Sequence, residues 1–204
     1  MLPIEKWGKN YVTVGMPDCS APDTYRIVAG QDNTMVNISG NIPVKLERSG
    51  DIYQFNLPDQ SAKTVTSDKG IALALYANGG CNSNGFGDPT MVLLPSIDQF
   101  AADYTFSTIS LQGQDFVNSL ALVIGEVYTE GLRMDNRTLP AAVWRPVEER
   151  KDIKYTEFEI AKGAHSVYHI DPTVTFLLIA TGVQSYNSYA YPAGLNFNNQ
   201  IAVR

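Results

Sequence analysis

The residues best suited to chemistry are few. His165 and His169 are the only histidines, four apart in the stretch "AHSVYHID". On one face of a helix that spacing would supply half a zinc site. The alternation of the stretch predicts a strand instead, where residues four apart share a face but stand about 13 Å from each other. No third ligand is near in sequence, so no metal is expected. A hydrolase needs a nucleophile, a base and an orienting acid. Serines are plentiful, but no Gly-x-Ser-x-Gly elbow is present. The charged run at residues 148–152, "EERKD", reads as a solvated loop inside an insertion rather than a carboxylate pair. No glycine-rich phosphate motif occurs. No catalytic residue and no cofactor are expected.

Two loop-like stretches remain. "NGGCNSNGFGD", from Asn78, carries the oxygen donors Asn82, Asn84 and Asp88. One carboxylate among them would make a weak calcium loop. "VQSYNSYAYPAG", from Val183, sets Tyr186, Tyr189 and Tyr191 among Ser185, Asn187 and Ser188. That is the composition of binding loops, in which tyrosine gives contact area at low entropic cost and small polar residues give adaptable hydrogen bonds. The candidate ligand-binding set is therefore Tyr186, Asn187, Tyr191, Asn82, Asn84 and Asp88. Phe86 and Tyr189 read better as buried anchors ahead of Pro89 and Pro192. For Tyr186 and Tyr191 the binding and packing readings stand equal.

Cys19 and Cys81 are the only cysteines. They are expected to be joined, which would close a loop of about sixty residues and stabilise by roughly 4 kcal/mol on a chain-entropy estimate. The triplets Asn37-Ile38-Ser39 and Asn136-Arg137-Thr138 are glycosylation sequons, which tilts the expectation toward secretion.

The elements that would hold these residues come in two copies. The chain opens on "LPIEKWGKNYVTV" and ninety residues later reads "LPSIDQFAADYTFS". Shifted by 103, the chain aligns without a gap from Phe55/Phe158 to Pro89/Pro192. Identical pairs include Asp68/Asp171, Leu75/Leu178 and Gly79/Gly182. The spacing predicts a duplicated unit, residues 1–90 and 91–204, packed as one module. Each copy is a string of short strands bounded by turn signals. Strands are expected at 25–29, 34–38, 53–57, 71–76 and 91–94, and again at 118–124, 132–134, 156–160, 166–170 and 174–180. The last is apolar on both faces, so it should be buried on both sides, between the units. Ser96 and Gln99 have capping-box spacing and predict one helical turn. The fold class is all-β: two tandem, similar β-sandwich, jelly-roll-like units.

Composition excludes several functions. The formal charge of −6 disfavours a nucleic-acid partner, which needs clustered Lys and Arg. No run of about 18 apolar residues exists, so no membrane insertion is expected. Pro3, Glu5 and Lys6 interrupt any apolar leader at the start.

The stretches "LPIEKWGKNYVTV", "VTSDKGIAL", "DPTMVLLPSIDQF", "GAHSVYHI" and "SYAYPAGL" resemble the N-terminal domain family of the IgGFc-binding protein, over nearly the whole chain. The resemblance implies a secreted, extracellular, non-enzymatic module in mucus, adhesive or surface proteins, often beside von Willebrand type D domains. It implies a protein or glycan ligand, with immunoglobulin Fc or a mucin-type glycoprotein as candidates, and brings no catalytic residues and no ligand motif. The expected function is adhesion or recognition through loops. The alternatives are a spacer or self-associating subunit of an extracellular matrix or filament, and, more remotely, a glycan-acting hydrolase on tandem jelly rolls.

Overall fold

The computed structural model describes residues 2–16, 22–57, 61–79, 87–111, 115–139 and 143–197. The first half carries β1 (Asn10–Val12), β2 (Asp23–Ala29), β3 (Thr34–Ile38), β4 (Val44–Leu46), β5 (Ile52–Leu57), β6 (Thr64–Ser67), β7 (Ile71–Ala77) and β8 (Thr90–Leu94). The second carries β9 (Asp103–Ser107), β10 (Val117–Gly125), β11 (Leu132–Met134), β12 (Arg137–Thr138), β13 (Arg145–Val147), β14 (Arg150–Ile160), β15 (Ala164–His169), β16 (Leu177–Gln184) and β17 (Asn187–Pro192). All pairings among them are antiparallel.

The sheet orders repeat. The first half forms β1-β6-β3-β4 and β5-β2-β7-β8; the second forms β9-β15-β11-β12 and β13-β14-β10-β16-β17. Each four-stranded order in one half has its counterpart in the other, and β13 is an added edge strand. The fold is thus two tandem, similar β-sandwich units. Because β8 hydrogen-bonds to β7, its pairing lies with the first unit; a division of the chain at residues 90/91 remains our proposal.

The repeated opening has a physical job. Each copy starts with a 3-10 turn, Ile4–Lys6 or Ile97–Gln99. Then comes a tyrosine whose phenol is buried under the first strand. The Tyr11 hydroxyl accepts from Gly8 N–H at 3.1 Å and donates to Ile71 O at 2.5 Å. The Tyr104 hydroxyl accepts from Ala101 N–H at 2.9 Å and donates to Phe176 O at 2.5 Å. Burial pushes the Tyr104 phenol up to about 12 and raises that of Tyr11 further. The two openings also touch each other. Gln99 Nε2 donates to Lys6 O at 2.9 Å. A Cβ on Gly8 would lie 2.2 Å from Ser96 Cβ, so glycine is required there. The expected helical turn at Ser96 is present, with Gln99 Oε1 accepting from Ser96 N–H at 2.9 Å.

These bonds correct the constant alignment between copies. The first holds Tyr11 opposite Val65 in β6, and the second holds Tyr104 opposite Val167 in β15. The constant shift would have matched Val65 with Tyr168, one residue on. Tyr11 and Tyr104 reach Ile71 O and Phe176 O, where the shift would have matched Ile71 with Val174, two residues earlier. Phe55 and Phe158 keep their match, each beside the centre of its sheet.

The units are fused by one sheet with two apolar faces. Every residue of β16 is buried. Leu120, Leu122, Ile124, Leu178 and Ala180 pack into the second unit's own core with Tyr104, Phe106 and Phe176. The alternating residues Ala121, Val123, Leu177 and Ile179 join the core of the first unit, with Tyr25, Ile27, Leu73 and Leu75. The expectation of a strand buried on both sides holds for 177–180; residues 174–176 precede the strand. The charged run at 148–152 is solvated, as expected, but ordered: residues 148–149 are the turn of the β13–β14 hairpin and 150–152 open β14. Glu149 sits at φ +60, Glu148 N–H donates to Ala62 O at 3.0 Å, and Glu148 pairs with Lys63 at 3.3 Å.

Cys19 and Cys81 lie outside the described residues. Their flanks are adjacent: Thr24 pairs with Tyr76, and Asn78 Nδ2 donates to Pro22 O. Each cysteine is three residues farther along from that contact. We propose that they are bridged; unreduced, denatured protein should titrate with no free thiol, and two free thiols would contradict this.

The paired phenols predict equal sensitivity. Tyr11→Phe and Tyr104→Phe each leave a buried carbonyl and amide without that partner, at about 1–3 kcal/mol and several degrees of Tm. Thermal unfolding checks this; an unchanged midpoint for either variant would contradict the latch.

Candidate functional site

The strand β16 turns into β17 through two residues, Ser185 and Tyr186, closed by the pair Gln184 and Asn187. Tyr186 stands at φ +63 and is 74% exposed. Positive φ suits glycine or asparagine, because Cβ crowds the neighbouring carbonyl. A bulky aromatic held there, pointing to water, is a backbone outlier of the kind that gathers at functional sites.

The other candidates separate by position. Asn187 is half-buried and serves the hairpin ladder. Tyr191 packs inward: its hydroxyl donates to Ser107 O and its ring stacks 6.0 Å from that of Tyr189. Tyr189 is buried, as its alignment with Phe86 implied. Its hydroxyl donates to Asn118 Oδ1 at 2.6 Å, its ring meets Phe116 edge-on at 5.4 Å, and burial pushes its phenol up to about 12. Gly182 lies beneath that ring, where a Cβ would come within 2.2 Å. Of the three tyrosines, only Tyr186 is free for a partner.

Asn82, Asn84 and Phe86 lie outside the described residues. Asp88 is exposed, and its neighbour Gly87 donates its N–H to Gln184 O at 2.9 Å. The end of the glycine-rich stretch from the first unit therefore meets the Tyr186 turn of the second. The sequence placed these loops on equivalent strands; it gave no signal that the two units would bring them together. The strands that leave this tip, β8 and β17, border a groove of about 450 Å³ lined by Met91, Leu93, Pro95, Ala190, Pro192 and Leu195.

Both histidines are tied into the scaffold. His169 Nδ1 lies 3.0 Å from Asp171 N and Nε2 lies 3.1 Å from Tyr128 O. It thereby holds the 3-10 segment Glu126–Gly131 against β15, over Gly131, where any Cβ would collide with the ring. His165 Nδ1 lies 2.8 Å from Asp135 Oδ2, and Nε2 lies 2.8 Å from Ala161 O. Asp135 also accepts from Ser166 N–H at 2.9 Å. This clasp of β15 to the turn between β11 and β12 was not legible, because its partners are thirty residues apart. Among the described residues no group of three His, Cys, Asp or Glu is placed to hold a metal, and no helix is long and apolar enough to cross a membrane.

What emerges is a duplicated all-β domain with an exposed aromatic, Tyr186, at a tip where its two units meet. The chain belongs to the IgGFc-binding protein family: the family model described as IgGFc binding protein matches residues 1–182. The human IgGFc-binding protein is 22% identical over 195 residues, covering 95% of this chain and 4% of that protein. The chain thus spans a small part of its relative's length. Among solved structures, a Streptomyces avermitilis α-L-rhamnosidase complexed with L-rhamnose is 10% identical, with 91% of this chain and 26% of that one covered and a TM-score of 0.29. The apo Pleurotus ostreatus lectin is 7% identical, with 92% and 72% covered and a TM-score of 0.25. Scores at this level carry no argument about this chain.

The clasp sets an acid limit. The His165 hydrogen bond, with that of Ser166, holds the Asp135 carboxyl below its ordinary value. A depressed folded value stabilises above the unfolded carboxylate pKa, near 4, and that contribution is lost as pH falls through the folded value. Asp135→Asn should lower stability at pH 7 and make the loss as pH falls below about 4 shallower. Denaturant midpoints across that range check this; an unchanged acid limb would contradict it.

Proposed function

We propose that this domain is an extracellular, non-enzymatic binding module that takes a protein partner, immunoglobulin Fc foremost, at the tip formed by residues 184–187 and 87–88. The single observation that carries the reading is Tyr186, an aromatic side chain exposed from a strained turn position that glycine would fill more easily. Tyrosine is among the residues that dominate binding energy at interfaces. Asp88 is exposed next to Gly87, which bonds to Gln184, and supplies a charge for the rim. Family membership supports a protein partner, since the matching model is described as IgGFc binding protein. A mucin-type glycoprotein or its glycan would use the same amide and hydroxyl groups around the turn.

Stability and affinity should move in opposite directions at this residue. Tyr186→Gly relieves the turn and should raise stability by about 1 kcal/mol. Tyr186→Gly and Tyr186→Ala should both weaken binding to an immobilised Fc fragment by about thirty-fold or more, the effect of a lost hot spot. Tyr191→Phe, which removes an internal hydrogen bond, should leave the affinity unchanged. Surface plasmon resonance and thermal unfolding check this. Full affinity in Tyr186→Ala would remove the site, and absence of Fc binding by the unaltered domain would remove the partner.

A further inference from the structure

The chain holds two sequons, Asn37-Ile38-Ser39 and Asn136-Arg137-Thr138, which the sequence alone leaves equivalent. Both acceptor asparagines are exposed, but the settings of the two triplets differ in backbone and hydroxyl. Asn37 lies within β3, which is paired on one side with β6 and on the other with β4; Asn37 itself stands opposite Thr66. Ile38 is 2% exposed and Ser39 is 9% exposed. The Ser39 hydroxyl accepts from Thr64 N–H at 3.1 Å, and Ser39 N–H donates to Thr64 O at 3.0 Å. Once the first sheet forms, Asn37 still faces solvent, but Asn37 and Ile38 are held in the ladder of an inner strand and Ser39, in the turn that follows, is closed over its hydroxyl.

The second triplet is open on every count. Asp135 and Asn136 both have positive φ, +50 and +63, the signature of a tight hairpin turn between β11 and β12. Asn136, Arg137 and Thr138 are all exposed. The strand β12 is two residues long and sits at the edge of its sheet, so one side of its backbone faces solvent. Tyr168 donates its hydroxyl to Asn136 Oδ1 at 3.2 Å. That bond orients the side-chain amide by its oxygen and leaves Nδ2, the atom that carries an N-linked sugar, pointing away from it. The clasp between Asp135 and His165 fixes the turn from below.

We propose that Asn136, and not Asn37, is the acceptor of an N-linked oligosaccharide. Used sequons lie in surface loops and turns, and only this triplet keeps that geometry in the folded domain. The reaction is group transfer from a lipid diphosphate-linked oligosaccharide by a secretory-pathway transferase. Asn136 Nδ2 attacks the anomeric carbon, a C–N bond forms, the C–O bond to the diphosphate breaks, and the amide proton passes to an enzyme base. The proposal rests on the secreted setting of the binding reading, but its test reads different residues.

The test is expression through the secretory pathway of a eukaryotic cell, then peptide-N-glycosidase digestion in heavy-oxygen water and peptide mass spectrometry. The enzyme converts a glycosylated Asn to an oxygen-labelled Asp. The label is expected at Asn136 and not at Asn37. The electrophoretic shift should vanish in Asn136→Gln and in Thr138→Ala, which leaves the turn residues intact, and persist in Asn37→Gln. Label at Asn37, or at neither site in secreted protein, would overturn the assignment. Binding to Fc by an unglycosylated domain would leave the tip reading standing while this one fails.

Discussion

The second unit's inner sheet is apolar on both faces, and the rest of the molecule follows from that constraint. A sandwich needs one buried face per sheet. Here β10 and β16 alternate between two destinations, with Leu120, Leu122 and Leu178 directed to their own core and Ala121, Val123, Leu177 and Ile179 to that of the first unit. Small residues predominate on β10's shared face, which permits close approach of the two layers. Separating the units would expose that face, so the duplicated chain is held as one body by the hydrophobic effect. The tip depends on this docking, because Gly87 and Gln184 come from different units.

Duplication explains what is shared, and divergence at the edges explains what is not. Both copies keep a 3-10 turn and a buried phenol that ties the opening segment to the strand leading back across the sandwich. That geometry needs a tyrosine of fixed position, so it left the clearest trace in the sequence. The second copy adds β13, whose hairpin reaches the first unit through Glu148 and Lys63. The turn after β16 carries Tyr186 where the first copy has a longer glycine-rich stretch. The new chemistry therefore sits where strands end and packing imposes little.

Legibility followed the strength of the local signal. Strands with period-two alternation, such as β3 and β5, and the apolar β7 and β10 were readable because burial imposes the pattern. Three-residue strands such as β1, β4 and β13 are too short to show a period. β17 looked like a loop because its tyrosines and small polar residues match a binding loop's composition; pairing with β16 makes it a strand. The same composition covers two roles there. Tyr191 is packed and Tyr186 is exposed, and only backbone position separates them. The meeting of residues 87–88 with 184–187 and the clasp of His165 on Asp135 are long-range contacts with no local signal.

The measurement that tests the central claim most directly is amide chemical-shift mapping of the labelled domain titrated with an Fc fragment. The account predicts that the perturbed amides cluster at Gly87, Asp88 and residues 184–188, contributed by both units, with the turn at Asp135 and Asn136 unaffected. Perturbations confined to one unit away from that tip, or none at saturating Fc, would contradict it.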